Sequence, residues 1–173
     1  MVTILVLAIL LGIAVPSFRD ASLGARLTGY ANDMVASAQL ARSEAIKRNA
    51  AVVLCASAVT DDGDFVCSDD NNWESGWVVG VLEDATRFDE DGNPITVTIV
   101  NVIQRQPALD PEFRFTADVS TITFPPTVVG VTAANFTVCR FNPLGKQERL
   151  VRITATGATS VIHPTTTSSC PGA

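Results

Sequence analysis

Met1-Val2-Thr3-Ile4-Leu5-Val6-Leu7-Ala8-Ile9-Leu10-Leu11-Gly12-Ile13-Ala14-Val15-Pro16-Ser17-Phe18 carries no charge, and a helical pattern continues from its end to about residue 49. A secretory signal would have a basic start and a small-residue cleavage site ahead of the mature domain, and the run shows neither. At 1.5 Å per residue, eighteen helical residues span about 27 Å, close to the hydrocarbon thickness of a bilayer. Each central Leu, Ile or Val favours insertion by roughly 0.3–0.6 kcal/mol, so the segment is expected to partition into lipid. A buried core helix is the competing reading, but apolar runs of this length in soluble domains usually carry a polar stripe.

All 12 Lys and Arg and all 18 Asp and Glu lie after Phe18, so the net charge of −6 belongs wholly to the remainder. About 155 residues suffice for one domain with a core. Its acidic balance does not attract nucleic acid or an anionic membrane, and binding of either kind needs a local basic patch.

From Asp20 on, Leu23, Leu27, Tyr30, Met34, Ala38, Ala41 and Ala45 recur at steps of three and four and share one helical face. Arg26, Asn32, Asp33, Ser37, Arg42, Ser43 and Lys47 fall opposite, as on a half-exposed helix. Glu44 and Arg48 stand in the favourable order for an i,i+4 pair, and Lys47 and Arg48 suit the negative end of the helix dipole. Pro16 lies inside this helix and predicts a kink near the membrane surface.

Short runs rich in β-branched residues follow, bounded by Gly, Pro, Asn or Asp. They predict strands over Ala51–Ala56, Gly76–Leu82, Ile95–Ile103, Glu112–Thr116, Thr121–Phe124, Phe136–Phe141, Leu150–Thr156 and Ser160–His163. Asp89-Glu90-Asp91-Gly92-Asn93-Pro94 reads as a turn between two of them, and Pro164–Ala173 as a Thr/Ser-rich tail. The fold class is therefore α+β. A transmembrane segment (1–18) continues as an amphipathic helix (19–49), and a β-rich globular domain occupies 50–173.

Cys55, Cys67, Cys139 and Cys170 form two sequence-local pairs. No Cys-x-x-Cys spacing is present and His163 is the lone histidine, which disfavours zinc. Three disulfide connectivities are possible, and Cys55–Cys67 with Cys139–Cys170 is favoured for a domain facing an oxidising compartment.

The run ending Ala14-Val15-Pro16-Ser17-Phe18 resembles the mature N-terminal helix of type IV pilins and type II secretion pseudopilins. Leu40-Ala41-Arg42-Ser43-Glu44-Ala45-Ile46-Lys47-Arg48-Asn49 is similar to the helix-end signature of the FimT/GspH branch. That branch follows it with a strand ending in Cys, a Cys-containing loop and a Trp-x-x-Gly-Trp segment, matched here by Cys55, Cys67 and Trp73-Glu74-Ser75-Gly76-Trp77. The resemblance covers nearly the whole chain and is looser in the C-terminal half. It implies a pilin domain and a structural subunit of a type IV pilus or type II secretion pseudopilus. Such a subunit sits in the bacterial inner membrane with its domain in the periplasm. The partners implied are other pilins or pseudopilins through the N-terminal helix, the inner-membrane assembly platform and membrane lipid. The helix residues concerned are Ile4, Leu5, Leu7, Ile9, Leu10, Leu11, Ile13, Val15, Pro16 and Phe18. No cofactor is implied.

Two features depart from the family pattern. The basic leader, the prepilin peptidase site and the helix-start glutamate, with the methylation that follows processing, would lie before Met1. Some transformation-linked members also carry a Gly-Arg-x-Arg motif that contacts DNA, where this chain has Gly157-Ala158-Thr159-Ser160. A second functional reading is nonetheless a pilus-tip DNA receptor using Arg140, Lys146, Arg149 and Arg152, although Glu148 lies among them and alternation on strands divides such residues between faces.

Enzyme readings find little support. His163 shows no pairing with a nucleophile, and Asp89, Asp91 and Asn93 do not match an EF-hand loop. Asp61, Asp62, Asp64, Asp69 and Asp70 around Cys67 read as a solubilising loop. Trp73 and Trp77 read as aromatics anchoring a loop on the sheet.

Overall fold

A computed structural model describes residues 2–59, 63–89, 91–127, 129–140, 148–164 and 170, with side chains from 21 onward and at Thr3. Among these residues one helix, α1 (Val2–Arg48), leads into nine strands. They are β1 (Val52–Val59), β2 (Phe65–Cys67), β3 (Trp77–Phe88), β4 (Pro94–Gln106), β5 (Phe113–Ala117), β6 (Thr121–Phe124), β7 (Ala134–Arg140), β8 (Glu148–Ile153) and β9 (Thr159–Ile162). A single 3₁₀ turn, Trp73–Ser75, precedes β3.

The strands form two antiparallel sheets. The first runs β2-β1-β3-β4, with β6 on the other side of β1, and the second runs β5-β7-β8-β9. Helix α1 packs on both. Its buried stripe is Leu27, Ala31, Met34, Ala38, Ala41 and Ala45, with Leu23 and Tyr30 partly buried against the same core. Small Ala side chains along the last three turns bring the helix axis close to the sheets. The aromatic bulk is supplied from the sheets by Trp77, Phe113, Phe115, Phe124 and Phe136. The helix ends where Asn49 takes a left-handed conformation (φ +50°), with the Ala50 N–H donating to the Ala45 carbonyl.

A second, smaller cluster lies on the outer face of the first sheet. Val53, Cys55, Val78 and Val100 are buried there beneath Phe65, Cys67 and Val102. The Cys55–Cys67 disulfide ties this flap to β1, and Cys139–Cys170 pins the tail to β7, the connectivity favoured from the sequence.

The structure departs from the sequence reading in several places, among them the ends of β1, at Val59, and of β7, which starts at Ala134. Ser37, assigned to the solvent face, is fully buried. Strand β2 was not anticipated, because three residues inside an acidic loop are too few to show alternation. Strands β3 and β4 reach Phe88 and Gln106, well beyond Leu82 and Ile103. Alternation fades in Glu83–Arg87, but the backbone keeps pairing with Thr96–Ile99 and beyond. Strand β8 stops at Ile153, since Thr154–Gly157 turns back on itself through the Thr154 hydroxyl and carbonyl. Phe141, the expected end of the preceding strand, lies outside the described residues.

Among the described residues, no helix is long and apolar enough to cross a membrane. The side chains of the uncharged run, Thr3 excepted, lie outside that description, although the backbone from Val2 to Phe18 belongs to α1 without interruption.

Candidate functional site

The surfaces able to meet a partner are set by what locks α1 to the sheets. The Trp73–Trp77 segment does this. The Trp77 indole N–H donates to Ser37 Oγ at 2.9 Å, and that hydroxyl donates to the Asp33 carbonyl at 2.8 Å. The Trp73 indole N–H donates to the Val119 carbonyl at 2.8 Å. Each buried indole thus has an acceptor, one on the helix and one between β5 and β6. Edge-on ring contacts, Trp73 with Phe136 at 4.8 Å and Trp77 with Phe115 at 5.4 Å, join the two sheets. Between the indoles, Glu74 accepts from Arg114 at 3.1 Å and from the Phe115 backbone N–H at 3.3 Å. Gly76 sits at φ +98°, and an added Cβ would collide with the Gln106 carbonyl and lie 2.9 Å from the Pro107 carbonyl carbon. Only glycine fits. This motif is a structural latch whose residues are consumed internally.

The lower helix is tied down separately. Arg26 pairs with Asp110 at 2.5 Å, the Asp110 N–H donates to the Tyr30 hydroxyl, and Tyr30 meets Phe113 edge-on at 5.2 Å. Burial is the main cause that pushes the Tyr30 phenol above its ordinary pKa. At the upper end Glu44 accepts from Arg48 at 2.7 Å and from Lys47 at 3.4 Å, and the Arg48 bond leads the lowering of its pKa.

The four basic residues of the DNA reading do not form one face. Strand β8 alternates, so Arg149 points with the buried Val151 and Ile153 and reaches Thr28 on α1 at 3.4 Å. Arg152 is on the opposite side, exposed, and donates to Asn135 at 3.3 Å. Arg140 follows the buried Phe136 and Val138 on β7, and Lys146 lies outside the described residues. Gly157 forms a left-handed turn (φ +72°) packed against Arg42. A shallow groove there is lined by Gln39, Arg42, Ser43 and Ile46 from α1 and by Gly157, Ala158 and Thr159.

Other sequence candidates also resolve into structural roles. The Asp89 carboxylate accepts from the backbone N–H of Asp91 and of Asn93, at 3.0 and 2.7 Å, so it closes the hairpin turn. Those bonds, that from Asn93 first, hold its pKa below the usual carboxylate range. Asp64 is ion-paired with Arg87, His163 is exposed just beyond β9, and Asp61 and Asp62 lie outside the described residues.

The exposed side of α1 was not singled out in the sequence beyond its polar residues. It carries Ala21, Ser22, Ala25, Ala36 and Ser43, with Gly29 half-exposed and open around its Cα. The signal was present as a second set of small residues at helical spacing.

The architecture is similar to that of the type IV minor pilin FimU of Pseudomonas aeruginosa. Two crystal forms match with TM-scores of 0.56 and 0.55 at 20% identity; they cover 84% and 83% of this chain and 95% and 98% of those chains. The minor pseudopilin EpsH of the Vibrio cholerae type 2 secretion system matches with a TM-score of 0.48 at 9% identity, over 80% of this chain and 98% of that one. No curated protein sequence matches the chain. The family described as type II transport protein GspH matches residues 30–157, from the middle of α1 through both sheets to the β8–β9 turn. A match of that extent, on this architecture, means that the chain belongs to the GspH family.

Proposed function

We propose that the protein is a minor pilin or pseudopilin, a structural subunit in the assembly of a type IV pilus or a type II secretion pseudopilus. The observation that carries this reading is the continuity of α1. One helix of about 70 Å runs from an uncharged stretch into a segment buried on the domain. Such a helix has two compatible environments. In the inner membrane its first third is solvated by lipid, and in a filament the same residues, Ile4 to Phe18, pack against the helices of neighbouring subunits. Transfer between the two costs little, because lipid tails and Leu-rich helix faces are similarly apolar. The small residues on the exposed side of α1 suit close helix approach. The domain then lies in the periplasm, where the two disulfides are stable, and docks with other pilins and the assembly platform.

Fractionation of cells producing the full chain tests the anchor. The protein should stay with the inner membrane through high-salt washing and be released by detergent, whereas a chain starting near Leu23 should be soluble. Deletion of the gene should impair piliation or secretion. A full chain that is soluble without detergent, or a deletion that leaves both processes intact, would reject the proposal.

A further inference from the structure

Among the described residues the two sheets present five outer strands, and four of them are short or guarded. Beside β6, the Thr132 N–H donates to the Thr123 carbonyl, and the Thr132 hydroxyl lies 3.5 Å from the Thr123 N–H. On β5, the Glu74 carboxylate accepts from the Phe115 N–H. Strands β2 and β9 are only three and four residues long. Strand β4 is different. It is 13 residues long, it ends its sheet, and its described backbone bonds run to β3 and within the hairpin turn.

Beyond Gly80 the β3–β4 hairpin leaves the body of the sheet, because β1 pairs with β3 only over Trp77–Gly80. Val81–Phe88 and Pro94–Asn101 are then paired with each other as a ribbon of about 25 Å. Its charges are segregated. Glu83, Asp84 and Arg87 lie on β3 and Asp89 and Asp91 in the turn, whereas Ile95-Thr96-Val97-Thr98-Ile99-Val100-Asn101-Val102-Ile103 has no charge and no proline. Such a run has high β-propensity, and on an outer strand it offers a row of unpaired N–H and C=O groups. Native chains normally blunt an edge of this kind with Lys, Pro or a covering loop. Leu82, Phe88 and Ile95 add exposed apolar surface to the same ribbon, at 46%, 72% and 43% exposure.

We infer that the β4 edge is a docking surface for a second copy of this chain, paired antiparallel β4 to β4 about a two-fold axis. Charge argues for a copy of itself. In the register centred on Ile99, the two Ile95–Ile103 segments oppose each other and set only Ile, Thr, Val and Asn across the pair, and β-branched pairs of that kind are favourable across strands. The acidic residues stand on the two outer strands of the resulting four-stranded ribbon, where Asp84 and Glu83 accept hydrogen bonds from Thr98 and Asn101 of their own β4. The other edge of the ribbon, along β3, would set Glu83 and Asp84 near their own copies. A two-fold contact is also closed, so it produces a dimer and not an open aggregate.

The test is sedimentation of the full chain in detergent over a concentration series, together with Thr96→Lys on the β4 edge and Thr86→Lys on its cross-strand neighbour. Both sites are exposed. A concentration-dependent dimer is expected for the wild type and for T86K, with association weakened by about tenfold or more in T96K. A wild type that stays monomeric would overturn the inference. So would a dimer indifferent to T96K, which would place the contact elsewhere, for instance in the apolar helix. Equal loss in both variants would point to a face of the ribbon and also reject the edge. Hydrogen exchange on the wild type gives a check free of substitutions. Alternate amides within Ile95–Ile103 should slow as the dimer forms, and unchanged exchange there would reject the pairing.

Discussion

Ser37 is the residue whose role is least visible in the sequence and most consequential in the fold. A serine inside a helix usually faces solvent or bonds back to the preceding turn. Here it does the latter and also receives the Trp77 indole N–H in a fully buried position. Ser37→Ala leaves that donor unsatisfied and should cost about 1–3 kcal/mol, read as a lower urea midpoint by tryptophan fluorescence. Asp33, one turn earlier, makes the opposite contribution. Burial holds its carboxyl above the usual carboxylate range, so the folded state binds that proton more tightly than the unfolded chain. The resulting penalty is absent below the unfolded pKa of about 3.9. It grows as pH rises toward the folded value and is complete above it. Asp33→Asn should therefore stabilise the protein at pH 7, by less than about 1 kcal/mol because solvent screens the exposed side chain. The gain should vanish below about pH 4 when urea midpoints of the two proteins are compared across pH. A gain that persisted there would contradict the assignment.

At the scale of elements, the latch, the flap and the ribbon have different origins. The Trp73–Trp77 latch is encoded locally, since both indoles, Glu74 and Gly76 fall within five residues. Its partners, Ser37 on α1 and Phe115 and Val119 in and just after β5, come from two distant parts of the chain and carry no local mark. The flap bearing β2 is too short to hold itself and relies on the small outer cluster and on Cys55–Cys67. Replacing both of those cysteines by serine should lower stability by about 2–4 kcal/mol. Hydrogen exchange should rise first in Phe65–Cys67 while the Trp77 region stays protected. The Cys139–Cys170 pair should behave differently, releasing the tail with little change in the first sheet. Melting curves and exchange maps of the two double variants check both statements.

For the whole molecule, net charge −6 and the division of Arg149 and Arg152 between opposite faces of the second sheet leave no concentrated basic surface among the described residues. Duplex DNA should accordingly bind weakly or not at all to the full chain in detergent across a salt series. Micromolar, steeply salt-dependent binding that Arg149→Ala/Arg152→Ala abolishes would revive a DNA-uptake role. Much of the architecture was legible beforehand because it rests on periodicity. Steps of three and four marked the buried stripe from Leu23 to Ala45, short β-branched runs bounded by turn residues marked eight of the nine described strands, and local spacing favoured the observed disulfides. Those signals are local and survive any arrangement of the remainder. Strand order, the burial of Ser37, the separation of the arginines and the place of β4 at the end of its sheet were decided only in three dimensions. Each depends on which distant backbone or side chain arrives alongside. A short window of sequence reports which face a residue takes, and the tertiary fold alone determines what that face meets.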